Sequence, residues 1–335
     1  MHLTRAKFVV SLHTLPIAAF VGYPADAAEF SYKLAFNGAL ATPIGRRSAE
    51  ACERIYRDSG GRLEIKPFFD GVLGGTLDVL GQVRLGAVEF DLPGFPDLAT
   101  VAPVAGMVGF PFLVNDQSQA LKLFSGEFGT YLHNAIAKAG LYAFGPWDVG
   151  FEQLVNSARP IVTPDDLRGL KLRVTGSPIN AILFKTLGAV TTSIPPAEIY
   201  TAAKTHLIDG VSLALAYVGS FKLQEVMKYV SITNLVPHFN TIIVNNDVWQ
   251  RIPRNLRDIV ARNFEEARRL NNVDLVRDDA SAAERLKGDG MLFNNAEVQS
   301  FKKTLRDAKL YSQLKASYPD EAWSMLEKAL GTQLS

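Results

Sequence analysis

The stretch Pro164-Asp-Asp-Leu-Arg-Gly-Leu-Lys-Leu-Arg-Val174 contains a turn followed directly by a strand. A Pro-Asp-Asp turn leads into Gly169, after which leucine or valine at positions 170, 172 and 174 alternates with Lys171 and Arg173. This period of two is typical of a β-strand with one buried face. Arg173 is therefore predicted to point away from the buried face, where its guanidinium can hold a carboxylate through two parallel hydrogen bonds. A surface arginine on a half-exposed strand is the alternative.

Strand and helix patterns alternate along the chain on both sides of this stretch. Strands are predicted at 32–37, 61–69, 141–147 and 190–193, and helices at 45–59, 76–85, 129–139 and 178–187. Such alternation favours an α/β fold with parallel sheets built from β-α-β units. A long helical stretch follows from Pro253 to Lys287, with further helices predicted at 298–308 and 320–330.

The first 27 residues have the pattern of a secretory signal peptide. Arg5 and Lys7 precede an apolar run from Phe8 to Val21, and Ala25-Asp26-Ala27 has the small-x-small form of a cleavage site. The run is shorter than the roughly 20 residues that a membrane-spanning helix needs. The sequence therefore predicts export and cleavage near Ala27.

Composition excludes several classes of function. The chain of 335 residues has 35 basic and 34 acidic residues, and the signal peptide removes two basic residues and one acidic residue. The mature chain is then neutral before histidine is counted, which argues against binding to nucleic acid or to an anionic membrane surface. Its length favours two domains. Cys52 is the only cysteine, so no intrachain disulfide can form.

Motifs for catalysis or for cofactor binding are missing from the sequence. The three histidines after residue 27, His133, His206 and His238, do not have metal-ligand spacing. Neither a Gly-x-Ser-x-Gly motif nor a phosphate-binding Gly-x-x-x-x-Gly-Lys motif occurs. We therefore expect no catalytic residues, no metal and no cofactor.

Five segments, in this order, resemble the solute-binding proteins of TRAP transporters, which feed organic acids to a sodium-driven membrane carrier. They are Ser59–Ile65, Gly71–Gly74, Gly109–Leu113, Arg159–Val174, and Pro195–Tyr200 with Ile208–Gly210. The resemblance implies a periplasmic monomer with two α/β lobes, joined by crossing strands and a long helix, that close over the ligand. Its partners would be an organic acid and the membrane subunits of the transporter.

The resemblance also implies lobe boundaries. The first lobe would comprise residues 28–148 and about 240–275, and the second lobe residues 149–239 and about 276–300. Residues 301–335 would form C-terminal helices.

By the same resemblance, Arg173 is the residue that binds the ligand carboxylate. Two departures from the family pattern bear on the ligand: Glu152 lies where an arginine is common, and Leu213 lies where asparagine is common. Glu152 is expected to accept a hydrogen bond from a ligand hydroxyl or to pair with a neighbouring basic residue. Both departures predict weak recognition of a second carboxylate or of many hydroxyl groups.

Further residues match cleft positions of the family: Asn37, Phe95, Trp147, Leu213 and Phe239, with Asn240 and His238 as weaker candidates. Ordinary core packing is the alternative for Phe95 and Phe239, and turn formation for Asn37. An aromatic or apolar monocarboxylate resting against Trp147, Leu213 and Phe95 is the favoured ligand. A C4-dicarboxylate or sugar-acid binder, a periplasmic sensor subunit and a secreted α/β enzyme are the alternatives.

Overall fold

The computed structural model describes residues 28–334, and the predicted signal peptide lies outside this range. Its strands form two separate β-sheets, and helices cover both. The strands are β1 (Phe30–Ala35), β2 (Leu63–Phe68), β3 (Phe90–Asp91), β4 (Leu141–Phe151), β5 (Gln153–Asn156), β6 (Lys171–Val174), β7 (Val190–Ser193), β8 (Gly210–Leu213), β9 (Tyr229–Ile232), β10 (Pro237–Asn245) and β11 (Leu292–Asn295).

The helices follow the predicted positions closely, with several short ones added. They are α1 (Pro43–Asp58), α2 (Thr76–Arg84), α3 (Phe95–Leu98), α4 (Gln117–Ser125), α5 (Glu127–Lys138), α6 (Pro178–Thr186), α7 (Ile199–Lys204), α8 (Leu215–Ser220), α9 (Asn246–Arg251), α10 (Arg254–Gly288), α11 (Val298–Asp307), α12 (Leu310–Lys315) and α13 (Asp320–Leu330). Within residues 28–334, no helix combines the length and apolarity that a membrane crossing requires.

Both sheets are mixed and not purely parallel, which corrects the prediction made from the alternating pattern. The first sheet has the strand order β2-β1-β3-β10-β4, and β10 runs antiparallel to both of its neighbours. The second sheet has the order β11-β9-β5-β8-β6-β7, and β5 runs antiparallel to β8 and β9. The antiparallel pairs arise because the chain leaves the first sheet along β4 and returns to it along β10.

The two sheets are joined where these strands cross from one to the other. Glu152 is the single residue between β4 and β5, and residues 233–236 connect β9 to β10. The two crossings are hydrogen bonded to each other, since Glu152 N donates to Val236 O at 2.9 Å and Leu235 N donates to Glu152 O at 3.3 Å. The crossing strands that the family resemblance implies are therefore present.

The turn before β6 forms as the sequence predicts. Residues 164–167 make one 3-10 turn, and the carboxylate of Asp166 accepts hydrogen bonds from the backbone N of Val162 at 2.9 Å and of Thr163 at 2.8 Å. Gly169 has a φ of 74°, a conformation that favours glycine. The capped turn thus sets the start of β6 and, with it, the position of Arg173.

Helix α10 contacts helices that follow strands of both sheets, α1 after β1 and α8 after β8. It has 35 residues, which corresponds to about 50 Å, and packs against α1 and β4. Arg47 on α1 pairs with Asp274 at 2.6 Å, and Asn271 Nδ2 donates to Asp148 O at 2.7 Å. The lobe boundary predicted near residue 275 falls inside this continuous helix.

The apolar core consists of two clusters, and each draws side chains from both sheets. The C-terminal helices belong to the first cluster, where Phe110 contacts three aromatic rings. The ring centroids of Tyr311, Tyr318 and Trp323 lie 6.0, 5.5 and 5.8 Å from that of Phe110. Residues 298–330 are therefore an integral part of the packed structure.

Two helical glycines differ in how closely the rest of the chain approaches them. A Cβ at Gly45, in the first turn of α1, would lie 2.3 Å from the backbone oxygen of Ala39, whereas a Cβ at Gly81, inside α2, would have no neighbour within 4 Å. We expect Gly45→Ala to lower the free energy of unfolding by about 1–3 kcal/mol. Gly81→Ala should raise it by about 0.5–1 kcal/mol, because alanine favours a helix. Urea unfolding measures both, and equal effects of the two variants would contradict the close approach at Gly45.

Candidate functional site

A cavity of about 310 Å³ lies between the two sheets. Its walls are formed largely where strands end, a common place for ligands in α/β proteins. The residues that line it come from the chain after β1 and β3 in the first sheet, from the chain after β6, β7 and β8 in the second sheet, and from β10: Phe36, Asn37, Asp91–Gly94, Thr175, Gly176, Ile194–Pro196, Leu213, Ala214, His238 and Asn240. Arg173 also lines it, from β6.

Arg173 is buried in this wall, with 4% of its surface exposed. Its Nε donates to the backbone oxygen of Ile194 at 2.8 Å, which fixes the plane of the guanidinium. Its terminal nitrogens make no hydrogen bond with the part of the chain that the structure describes. Burial lowers the pKa of Arg173, while the negative charges of Asp97 and Glu152 oppose that shift. Arginine stays protonated in proteins, so the cavity contains a fixed cation with two free donor groups.

Glu152 lies at the strand crossing, beside the cavity and not on its wall. One carboxylate oxygen accepts a hydrogen bond from Ser212 Oγ at 2.7 Å, and the other lies 2.7 Å from His238 Nδ1. Of the two expectations for Glu152, pairing with a neighbouring basic residue is therefore the one that matches the geometry.

His238 connects this pair to the first sheet. Its Nε2 lies 3.1 Å from Asn240 Oδ1, and Asn240 Nδ2 donates to the backbone oxygen of Leu92 at 2.9 Å. Burial alone would lower the pKa of His238, but the hydrogen bond and charge of Glu152, with the charge of Asp97, raise it above its ordinary value. Protonated His238 donates from both ring nitrogens, and Glu152 Oε1 and Asn240 Oδ1 are the two acceptors.

Substitution of Glu152 tests this pairing. Glu152→Gln keeps an acceptor but removes the charge, so the pKa of His238 should fall, because burial is then opposed only by Asp97 and Asn240. NMR titration of the His238 ring measures the pKa, with His133 and His206 as internal references. Glu225→Gln is the matched control, since among the described residues the Glu225 side chain bonds to the Tyr200 hydroxyl and not to a histidine. An unchanged His238 pKa in Glu152→Gln would contradict the assigned pair.

Two buried carboxylates on the cavity wall were missed by the sequence analysis. Asp91, at the end of β3, is 3% exposed; its Oδ1 accepts from Leu92 N at 2.8 Å, and its Oδ2 has no hydrogen-bond partner among residues 28–334. Burial raises the pKa of Asp91 to about 8. The only signal in the sequence was a carboxylate between two apolar residues, Phe90 and Leu92.

Asp97, on α3, is the second of these carboxylates and is 9% exposed. Burial raises its pKa to about 6, while the positive charges of Arg173 and His238 oppose the shift. The wall therefore carries Arg173 on the second sheet, Asp91 and Asp97 on the side of the first sheet, and His238, which is paired with Glu152.

The raised pKa of Asp91 predicts how stability depends on pH. Because the folded value of about 8 exceeds the unfolded value of about 3.9, the folded state binds this proton more tightly. The contribution of Asp91 is fully present below about pH 4 and is lost as the pH rises toward about 8. Asp91→Asn removes this pH-dependent contribution. Between pH 5 and pH 8, the free energy of unfolding should therefore fall on the order of 1–3 kcal/mol more in the wild type than in the variant. Urea unfolding at both pH values measures this, with exposed Asp165→Asn as control; identical pH dependence of wild type and Asp91→Asn would refute it.

Trp147 does not line the cavity, although it was predicted to stack on the ligand. The indole is fully buried in the second apolar cluster. Val149, two residues further along β4, lines the cavity instead. The family resemblance locates the strand correctly but does not tell which of its side chains reaches the ligand space.

Phe95 and Phe239 also belong to the core and not to the cavity wall. Their ring centroids lie 5.1 and 4.9 Å from that of Phe124, and both rings are almost fully buried. On β10, the neighbours of Phe239 on either side, His238 and Asn240, face the cavity. Phe239 points away because successive side chains of a strand lie on opposite faces. Core packing, the alternative considered for both phenylalanines, is therefore what the structure has.

Asn37 and Leu213 line the cavity as expected, and three aromatic side chains that were not anticipated join them. In the orientation that satisfies its whole amide group, Asn37 accepts from Thr76 N and Oγ1 at 2.6 Å and donates to Gly74 O at 3.1 Å. The three aromatic residues are Phe36, Tyr217 and Phe221. The hydroxyl of buried Tyr217 makes no hydrogen bond within the described chain.

A second, outer cavity of about 460 Å³ adjoins the first and shares Asn37, Pro196 and Phe221 with it. Lys222 and Asp70 also line this second cavity. Among residues 28–334, no group of three or more histidine, cysteine, aspartate or glutamate side chains is placed to hold a metal ion.

Comparison with known proteins connects this arrangement to transport. A sequence model of the DctP family, described as bacterial extracellular solute-binding protein, family 7, matches residues 36–314. The chain is 29% identical over 231 residues, covering 69% of this chain and 70% of the relative, to the 2,3-diketo-L-gulonate-binding periplasmic protein YiaO of Escherichia coli K12.

Two solved structures have the same fold as this chain. A TRAP periplasmic solute-binding protein from Sulfitobacter sp. NAS-14.1, with bound β-D-galacturonate, is 23% identical with a TM-score of 0.86, and the match covers 90% of this chain and 100% of that one. Another, from Sulfurospirillum deleyianum with bound succinate, is 22% identical with a TM-score of 0.85, covering 91% and 100% of the two chains. The likeness confirms the two-lobed α/β fold.

Proposed function

The chain belongs to the DctP family of bacterial extracellular solute-binding proteins, and from this premise we propose that it is the periplasmic subunit of a TRAP transporter that binds a small monocarboxylate and delivers it to the membrane subunits. Proteins of this family bind solutes for transport and are not enzymes, so the secreted enzyme considered above is excluded. Neighbouring genes for a small and a large membrane subunit would separate transport from a sensor role.

The observation that carries the proposal is the buried fork of Arg173. Its Nε is already bonded to Ile194 O, and its two terminal nitrogens face a cavity of suitable size for a small ligand. A carboxylate accepts two parallel hydrogen bonds from such a fork. The ion pair is favourable in a buried site only when its hydrogen bonds are complete, so the ligand and the closure of the lobes support each other.

The surrounding charges favour one carboxylate over two. Within the described chain, the nearby cation His238 is already paired with Glu152, so a second ligand carboxylate would meet Asp91 or Asp97 without a counter-charge. Like charges in a closed cavity repel each other strongly because water does not screen them.

The rest of the ligand is proposed to be apolar or aromatic. Phe36, Leu213 and Tyr217 supply the apolar surface that the sequence analysis attributed to Trp147 and Phe95. An aromatic ring packed against such side chains gains more than its buried area alone provides.

A polyhydroxylated or dicarboxylic acid is the second candidate. Relatives of this chain are named for 2,3-diketo-L-gulonate, and the similar structures contain β-D-galacturonate and succinate. Asn37 and Asn240 bring polar groups to the cavity wall and favour hydroxyl-bearing ligands over purely apolar ones.

Titration calorimetry with Arg173 variants tests the carboxylate anchor. The panel is 3-phenylpropanoate, succinate, malate and galacturonate. Arg173→Ala should weaken binding of the preferred acid by about 2–5 kcal/mol, on the order of 30-fold to several thousand-fold. Arg173→Lys should not restore it fully, because lysine lacks the planar fork.

Arg168→Ala is the matched control, since Arg168 lies in the same turn-and-strand segment but is exposed and pairs only with Asp165. Unchanged affinity in both Arg173 variants would remove Arg173 from the site. Tightest binding of malate or galacturonate by the wild type would favour the second candidate and leave the anchor intact.

A further inference from the structure

Acidic and basic groups face each other across the cavity from different sheets. Arg173 lies on β6 of the second sheet, whereas Asp91 is the last residue of β3 in the first sheet and Asp97 lies on α3, which follows β3. All three are more than nine-tenths buried. Asp78, on the exposed rim, also borders the cavity.

Asp91 is a buried carboxyl group of the cavity wall with one oxygen unpaired within the described chain. Its Oδ1 accepts one backbone hydrogen bond, while its Oδ2 has no partner among residues 28–334 although it is excluded from solvent. A buried polar atom left without a partner is costly and calls for an explanation, which an unseen ligand can supply. Asp91 lines the cavity, so a cationic group of a ligand would lie near its carboxyl group and favour the ionised form.

A cationic group on the ligand would balance the charges of the cavity. His238 neutralises Glu152, and a ligand carboxylate neutralises Arg173. Asp97 then remains without a counter-charge, together with Asp91 whenever Asp91 is ionised. A hydroxyl group would donate a hydrogen bond to these carboxylates but would leave their charge uncompensated in a site shielded from water.

We propose that the ligand carries a protonated nitrogen in addition to its carboxylate, and that Asp91 and Asp97 form the subsite for that nitrogen. This inference rests on the proposed function, because it takes Arg173 as the carboxylate anchor. The ligand is then a zwitterionic acid, with its negative end on the second sheet and its positive end on the first. Each lobe recognises one end, so a ligand with both charges holds the two lobes together.

Two matched series of probes test the subsite by calorimetry. Phenylalanine, 3-phenyllactate and 3-phenylpropanoate differ only in the group beside the carboxylate, and 4-aminobutanoate, 4-hydroxybutanoate and butanoate differ only at the far end. In at least one series, the amine should bind at least about tenfold more tightly than the unsubstituted acid, with the hydroxy acid between them.

The variants assign that preference to the two carboxylates. The affinity for the amine divided by the affinity for the unsubstituted acid should fall at least about fivefold, toward one, in Asp91→Asn and in Asp97→Asn. Exposed Asp165→Asn should leave this ratio at the wild-type value. Thermal unfolding of each variant without ligand checks that it folds. If Asp97→Asn does not fold, Asp91→Asn decides the question.

Three results would overturn the subsite: an unsubstituted or hydroxy acid binding most tightly in both series, no binding of either amine, or an amine preference that persists in Asp91→Asn. Failure of the proposed function has a different signature. In that case Arg173→Ala would bind every probe as tightly as the wild type does, whichever member of a series is preferred.

Discussion

Burial of the Arg173 guanidinium is the constraint on which the rest of the site depends. Removing a cation from water costs several kcal/mol unless hydrogen bonds and an opposite charge replace the lost hydration. The backbone oxygen of Ile194 satisfies one nitrogen, and the carboxylates of Asp97 and Glu152 lie close enough to stabilise the charge. None of these forms an ion pair with its fork. The protein therefore holds a cation that is partly satisfied by its own atoms and is completed by an anion from outside.

The second organising element is the chain of hydrogen bonds from Ser212 through Glu152, His238 and Asn240 to the backbone of Leu92. It begins on β8 in the second sheet and ends beside β3 in the first. Its middle members lie where the strands pass from one sheet to the other. Because Glu152 and His238 neutralise each other, they add polar contacts to the crossing without adding net charge to the cavity.

The sequence predicted the features that depend on local patterns and missed those that depend on which way a side chain faces. The period of two around Arg173 was enough to place β6 and to put Arg173 on the face opposite Leu172 and Val174, but it did not show that this second face is buried as well. Trp147, Phe95 and Phe239 were assigned to the ligand from a family resemblance, which gives a position along the chain but not the direction of the side chain. For Trp147 and Phe239, register shifts between β4 and β10 also make the face of each strand hard to predict. Asp91 escaped notice because its role comes from burial next to Asp97 and opposite Arg173, contacts that join distant parts of the chain.

The position of His238 and Glu152 at the strand crossings affects how fast a ligand can leave. If the lobes separate by rotation about these crossings, the backbone that bends also carries the pair that borders the ligand. A substitution there would change the energy of the bound state and the barrier to opening together, so equilibrium affinity and residence time would shift in parallel. Phe36 and Tyr217 line the cavity away from the strand crossings. Substitutions there would change the energy of the bound state without changing the backbone that bends. A redesign of ligand preference that must keep delivery to the transporter fast is therefore better directed at those walls than at the crossing.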